Sequence, residues 1–466
     1  MNDSLADEKT VQSTDGGLDD GTPVGSEQPE ELRGLKRVVI KSSLWTLVSY
    51  GGSQFFRLVG NLVLARLLFP EAFGLMALIN VFMQGLHMFS DIGIGPSIVQ
   101  SKRGDDLAFL RTAWTVQIIR GFGLFLFSCA VAWPLSVFYS QPQVLILLPV
   151  VGFNSALAGL CSTAFFTLNR QLNLGRITIL DFFNQLLGLG VMVLFAWYIP
   201  SVWALVVGGL VGSLSRTIMG YVFLPGIPHR PAWEPEARAE LVRFGRWIFI
   251  STAFTFLASQ GDRLILGYLL TMSELGIYSI AFALSQTFVM AFTTLSNSVL
   301  FPLYSRLASD DPYWALYKMR RLRMVLLAGA VVPSCLLILF SRPIINLLYD
   351  SRYQDGGWML GLLAIGAIPT VVNLSLSPMM LARGDSFRMM TYNAIKSVLM
   401  LGLMLLGGSQ AGVKGLIAGY VSSQFAEYLL LVGFIRRYGV WMPMIDLAYF
   451  ALCFALLAGA KTLAGW

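Results

Sequence analysis

Apolar runs long enough to cross a bilayer constrain this chain more than any other feature. Thirteen can be read along it, at 42–66, 74–99, 112–138, 143–168, 177–199, 201–224, 245–270, 276–302, 323–347, 357–382, 388–408, 411–435 and 445–464. A transmembrane helix needs about 20 mostly apolar residues. The runs are continuous rather than alternating, which excludes a transmembrane β-barrel. Charged residues make up only 13% of the chain and mean hydropathy is +0.67, whereas a soluble domain carries about 25% charged residues. The expectation is an all-α polytopic membrane protein.

Lysine and arginine in short loops orient such a chain. With the N-terminus inside, 22 basic residues fall on the cytoplasmic side, among them Lys102, Arg103, Arg170, Arg323, Arg388 and Arg436. Five fall outside: Arg66, Arg342, Arg352, Lys414 and Lys461. The basic excess is therefore topogenic, and no nucleic-acid partner is expected. Residues 1–34 hold nine acidic residues against Lys9 and Arg33, a composition that reads as a disordered acidic cytoplasmic tail. Cys129, Cys161, Cys335 and Cys453 lie in separate runs, and His87 and His229 are the only histidines. Neither a metal site nor a cofactor site is expected from that inventory.

A shift of 202 residues lays the first half of the chain on the second. Trp45 falls on Trp247, Gly74 on Gly276 and Gln84 on Gln286, while Arg57 falls on Ser259 and Asn61 on Arg263. Six spans per copy is an even number, so both copies enter the membrane in the same direction. The organisation expected is an N-lobe over 35–224, a proline-rich cytoplasmic linker over 225–244, a C-lobe over 245–437 and an additional C-terminal span within 438–466. The two six-helix lobes would enclose a V-shaped central cleft.

Polar residues inside the runs are the candidate site, because ionisable groups in a membrane are costly unless they face protein or water. In the first run Ser53, Arg57 and Asn61 form a stripe at helical spacing. In the second, Asn80, Gln84, His87 and Asp91 share one helical face. Arg120, Asp262, Arg263, Lys396 and Glu427 complete the set. Each could instead be pairing with another to hold helices in register. The stripes of the first, second and seventh runs together point to one shared cavity, with Arg57 facing Asp262 and Arg263.

The runs LARLLFPEAFGLMAL (64–78), FSDIGIGPSIVQ (89–100) and GDRLILGYLLTMSELGIYSIAF (261–282) resemble the polysaccharide transporter group of the MOP flippase superfamily. This is the Wzx-like set, kin to the MATE exporters and the lipid II flippases. The resemblance covers most of the chain from about residue 36, and it implies 12 or 14 spans, where 13 are counted here. It also implies a flippase in the bacterial cytoplasmic (inner) membrane that moves a polyprenyl-pyrophosphate-linked oligosaccharide by alternating access for surface or exopolysaccharide synthesis. A polysaccharide polymerase and export machinery would work alongside it. Arginine grips phosphate with paired hydrogen bonds and lysine does so as a point charge. On that reading Arg57, Asn61, Gln84, Arg120, Arg263 and Lys396 bind substrate, while His87, Asp91, Asp262 and Glu427 couple an ion or pair charge. No catalytic motif for an enzyme was found. A MATE-like ion-coupled small-molecule exporter and a non-transport scaffold of a polysaccharide assembly complex are the alternatives.

Overall fold

The computed structural model describes residues 28–91, 93–224, 230–237, 256, 259–296, 300, 304, 312–439 and 441–464. Among these, regular structure is helical and no strand occurs. The first half contains α1 (Gln28–Leu67), α2 (Pro70–Phe89), α3 (Ile94–Gln100), α4 (Leu107–Phe138), α5 (Val144–Gly159), α6 (Ala164–Arg170), α7 (Leu174–Tyr198) and α8 (Trp203–Val222). The second half contains helical residues 259–269, here α9, then α10 (Met272–Leu295), α11 (Pro312–Leu339) and α12 (Ser341–Leu348). After these come α13 (Gly356–Leu376), α14 (Pro378–Ala382), α15 (Ser386–Ile435) and α16 (Pro443–Ala464).

Eight of the described helices are long and apolar enough to cross a membrane. The pair α5 and α6 would make a ninth, bent by 59° at their junction. Several apolar runs are broken where hydropathy is silent. The second run divides into α2 and α3 at Gly93, whose φ of 65° is left-handed. The 50-residue α15 is two helices joined at Ala411 and Gly412, the latter with φ 57° and ψ −135°. Gly415 and Gly419 pack back against the backbone of Gly407 and Leu403, so the chain reverses there. A residue with a side chain pays a steric penalty at such angles, and glycine does not.

Within the first half, α4 packs on α5, α7 on α8 and α1 on α7. Within the second, α13 packs on α10, α11 and α15. The principal packing between halves is α2 on α10. There the first turns touch backbone to backbone, because Gly74 and Gly276 leave nothing between the helices. A single apolar core surrounds the contact and draws Leu64, Leu68, Leu75 and Leu78 together with Leu266, Leu270, Leu275 and Tyr278.

The loop after α12 closes the same end. Arg352 donates to the Arg66 carbonyl at 3.0 Å and lies 4.9 Å from the Phe69 ring centre, while the Tyr353 hydroxyl donates to the Leu68 carbonyl at 3.2 Å. These bonds satisfy carbonyls that the end of α1 would otherwise leave without partners. Asp350 accepts from Arg352 Nε at 2.8 Å, and that guanidinium holds the Asp350 carboxyl below its ordinary range.

The linker is described only over 230–237, where it is clipped to the first half. Glu234 accepts from Arg103 at 2.7 Å, and the Ala232 and Glu234 amides donate to the Thr115 and Thr112 hydroxyls at 3.1 Å each. The helix α16 packs on α11 and α13 through a fully buried pair, Arg323 and Asp446. Arg323 Nε also donates to Ser375 Oγ at 2.9 Å, and the Tyr428 hydroxyl donates to Asp446 at 3.1 Å. Arg323, counted above among the topogenic charges, is thus an interior anchor for the last helix. Trp247, together with Thr252 and Thr255 of the seventh run's polar stripe, lies outside the described residues, whereas Ser259, Asp262 and Arg263 of that stripe are described.

Candidate functional site

The candidate polar residues are divided among cavities rather than gathered in one. One cavity, of 740 Å³, lies between the halves. Its walls come from α1 (Arg57, Asn61), α9 (Asp262, Arg263), α10 (Gln286) and α15 (Lys396). The stripe of the first run and the described part of the seventh therefore do face one another across the chain. This follows from helical spacing on α1: Gln54, Arg57 and Asn61 lie three and four residues apart and point the same way.

The cations in this cavity are held differently. Arg57 is exposed to it and makes no hydrogen bond or ion pair with the described residues. Arg263 is braced by Gln260, whose Oε1 accepts at 3.1 Å, and by the Phe282 ring at 5.0 Å. Its Nε is buried without a hydrogen-bond partner. Lys396 donates to Glu427 at 2.7 Å, and the Tyr392 hydroxyl donates to the same carboxylate oxygen at 2.5 Å. Glu427 is itself buried behind Lys396, so it orients that cation instead of lining the cavity. Asp262 is 3% exposed and accepts from the Tyr278 hydroxyl at 3.0 Å. The result is a cavity whose accessible charge is positive and whose acids are tucked behind their partners.

The second cavity, of 480 Å³, lies inside the first half and is lined by His87, Asp91, Gln117, Arg120, Ser155 and Arg216 among others. Here Arg120 braces the break after α2. Its Nη2 donates to the His87 carbonyl at 3.0 Å, its Nε to Ser90 Oγ at 3.0 Å, and Asp91 lies 3.8 Å away. A guanidinium at a helix C-terminus satisfies free carbonyls and complements the helix dipole. His87 Nε2 sits 3.1 Å from Ser155 Oγ, tying α2 to α5. The face of the second run is thus divided: Asn80 reaches the space between the halves, His87 and Asp91 turn into the first half, and Gln84 is exposed and lines neither cavity.

Sequence reasoning missed several polar residues of the interface cavity, among them Gln54, Gln260, Thr370 and Gln424. Gln286 was noticed only as a repeat match to Gln84, and of the two it alone lines this cavity. Uncharged polar residues in apolar helices stand out from the sequence only when they recur at helical spacing; Gln54 carried that signal, three residues before Arg57 and seven before Asn61.

The described residues form an all-helical, multi-span membrane protein with a cationic cavity between its halves, and its fold matches solved structures of the lipid II flippase and MATE transporter kind. The lipid II flippase MurJ, in an inward closed conformation, superposes with a TM-score of 0.71 over 91% of this chain and 92% of its own at 13% identity. An inward-facing multidrug resistance MATE family transporter gives 0.60 over 83% of this chain and 94% of its own, at 12% identity. Residues 63–356 match the family described as polysaccharide biosynthesis protein, and the chain belongs to that family. The lipopolysaccharide biosynthesis protein WzxC of Escherichia coli (strain K12) is 22% identical over 407 residues, 85% of this chain and 80% of its own length. The succinoglycan biosynthesis transport protein ExoT of Rhizobium meliloti (strain 1021) is 23% identical, over 71% of this chain and 66% of its own.

Proposed function

We propose that the chain is a flippase for a polyprenyl-pyrophosphate-linked oligosaccharide and serves surface or exopolysaccharide synthesis in the bacterial cytoplasmic membrane. The observation that carries this reading is the 740 Å³ cavity between the halves, in which Arg57, Arg263 and Lys396 meet within a bundle of apolar helices. A pyrophosphate bridges glycan and lipid in such a substrate and is the group that these cations suit. The cationic lining opposes the small cationic cargo of a multidrug exporter.

The halves act as two lobes that rock about the cavity. The positive-inside count places the N-terminus in the cytoplasm, so the end sealed by Gly74, Gly276 and the Arg352 cap faces outside. The conformation is then closed to the outside. In it the headgroup enters from the cytoplasm while the polyprenyl tail stays in lipid, and the lobes later part at the sealed end. Arg57 makes the first contact because it has no partner among the described residues to give up; Arg263 and Lys396 are held ready by Gln260 and Glu427. Asp262 and Glu427 serve as charge partners of the cavity. A polymerase and export machinery would take the product.

The test is polymer export in cells whose only copy of the chain is R57A or R263A, compared at equal membrane levels. The reading predicts lost export with the lipid-linked repeat unit accumulating in the inner leaflet. Normal export from both variants would overturn the site.

A further inference from the structure

Beyond the cationic cavity, on its sealed side, lies a second compartment of 450 Å³. The two share Asn61 and Arg263, so Arg263 stands at the boundary between them. The order along the helices fixes the direction. On α1 the cationic cavity takes residues 50–61 and the compartment takes Asn61 and Leu64, nearer the sealed end at Leu68. On α10 the cavity takes residues 282–294 and the compartment takes Ser279 and Ile280, nearer Gly276.

The compartment differs from the cavity in its chemistry. Among the described residues Arg263 is its only charged lining residue, and none is a carboxylate. Asn61, Asn80, Asn154 and Ser279 supply the polar groups, each carboxamide offering both donors and an acceptor. The Asn154 Oδ1 is buried and accepts no hydrogen bond among the described residues. Phe73, Met76 and Met192 supply apolar wall. A pyranose has this same division, hydroxyls around its rim and C–H groups on its faces. A carboxylate-bearing sugar would shed water here with only Arg263 to receive it, and burying a charge without full pairing is costly.

We infer that this compartment is a glycan subsite for uncharged sugars, hydroxyl- or N-acetyl-bearing, distinct from the pyrophosphate subsite at Arg57, Arg263 and Lys396. The inference rests on the flippase reading above. It gives the substrate a direction: sugar towards the outer seal, pyrophosphate behind Arg263, lipid last. Asn80 and Asn154 recognise the sugar, and Arg263 is the shared boundary that reads where glycan ends and pyrophosphate begins.

The experiment measures binding to the full chain in nanodiscs of two probes: undecaprenyl pyrophosphate, and the lipid-linked repeat unit extracted from the chain's own host after deletion of its gene. Wild-type protein should bind the repeat unit at least about tenfold more tightly than undecaprenyl pyrophosphate, the equivalent of two neutral hydrogen bonds. The N80A/N154A variant should bind undecaprenyl pyrophosphate as wild type does and lose that tenfold preference. Retained undecaprenyl pyrophosphate binding also shows that the variant is folded. Should the double variant bind neither probe, N80A alone decides, because Asn80 is exposed to the compartment and its truncation spares packing. An unchanged preference in the folded variant, or no preference in wild type, overturns the subsite and leaves the flippase reading standing. Failure of wild type to bind either probe overturns the flippase reading itself.

Discussion

Gly74 and Gly276 stand 202 residues apart in sequence and face each other with no room for a methyl group on either. A Cβ on Gly74 would lie 1.9 Å from the Met272 carbonyl oxygen, and one on Gly276 would lie 1.9 Å from that of Pro70. Backbone cannot yield as a flexible side chain can, so any substitution must push α2 and α10 apart. Overpacking of this kind costs about 1–3 kcal/mol. The variants G74V and G276V should therefore leave the outer seal open. A cysteine placed at Asn61, with the four native cysteines replaced by alanine, should be shielded from an impermeant maleimide added outside in the parent. It should be labelled in the glycine variants; equal labelling would mean that this contact is not the seal.

Arg57 is exposed to the cavity without a partner among the described residues, so on the flippase reading proposed above its contribution goes to substrate rather than to the fold. Hydrogen bonds to charged groups contribute about 1.5–3 kcal/mol each. R57A should lower export roughly tenfold to a hundredfold at unchanged thermal stability. R57K should fall between, since lysine keeps the charge and loses the paired geometry. A stability loss as large as the export loss would make Arg57 structural.

Lys396 and Glu427 separate structure from transport. E427A leaves Lys396 and the buried Tyr392 hydroxyl without their acceptor, and stranding a buried donor this way costs about 1–3 kcal/mol. Replacing both partners, as K396M/E427L, should recover most of that stability. Export should remain low in the double variant, because the cavity has lost a cation. Thermal midpoints in detergent read one effect and polymer export the other. Restored export in K396M/E427L would remove Lys396 from the substrate path.

The Arg323–Asp446 pair predicts that the last helix depends on chemistry far from it in sequence. D446A should destabilise the protein by about 3–5 kcal/mol, and R323M/D446L by much less. Limited proteolysis near Gly439 checks this directly: rapid release of 443–464 is expected from D446A and little from the double variant. Equal release from both would show that apolar packing alone holds α16.

Acid should loosen the outer cap. Arg352 holds the Asp350 carboxyl below its ordinary range, so the folded value lies under the unfolded value of about 3.9. A group depressed in this way contributes its full stabilisation above the unfolded value and loses it as pH falls through the folded one. Thermal midpoints of wild type and D350N should differ at pH 7, and the difference should shrink as pH falls below the unfolded value of about 3.9. A constant difference across that range would show that the Asp350–Arg352 contact does not hold the cap.

The helical class was legible from apolar runs, and the stripe on α1 led to the cavity between the halves. The pairing of charges was not. Arg323 looks like one more cytoplasmic arginine, and its partner lies 123 residues on. Arg120 looks like a ligand for substrate, and in the structure it also braces the end of α2, a helix end that hydropathy does not mark. His87 and Asp91 share a helical face with Asn80, yet the break after Phe89 carries Asp91 into the first half's own cavity. Spacing along a helix tells which residues point together; what they point at is decided by packing that spacing does not encode.

The most direct measurement of the central claim is transbilayer movement in liposomes. The purified chain is reconstituted with lipid-linked repeat unit present in both leaflets, and an impermeant glycan-modifying reagent is added outside. Wild-type liposomes should expose nearly all of the repeat unit, and R57A/R263A liposomes only the outer-leaflet half during the same interval. Wild-type liposomes that expose no more than protein-free ones would contradict the account.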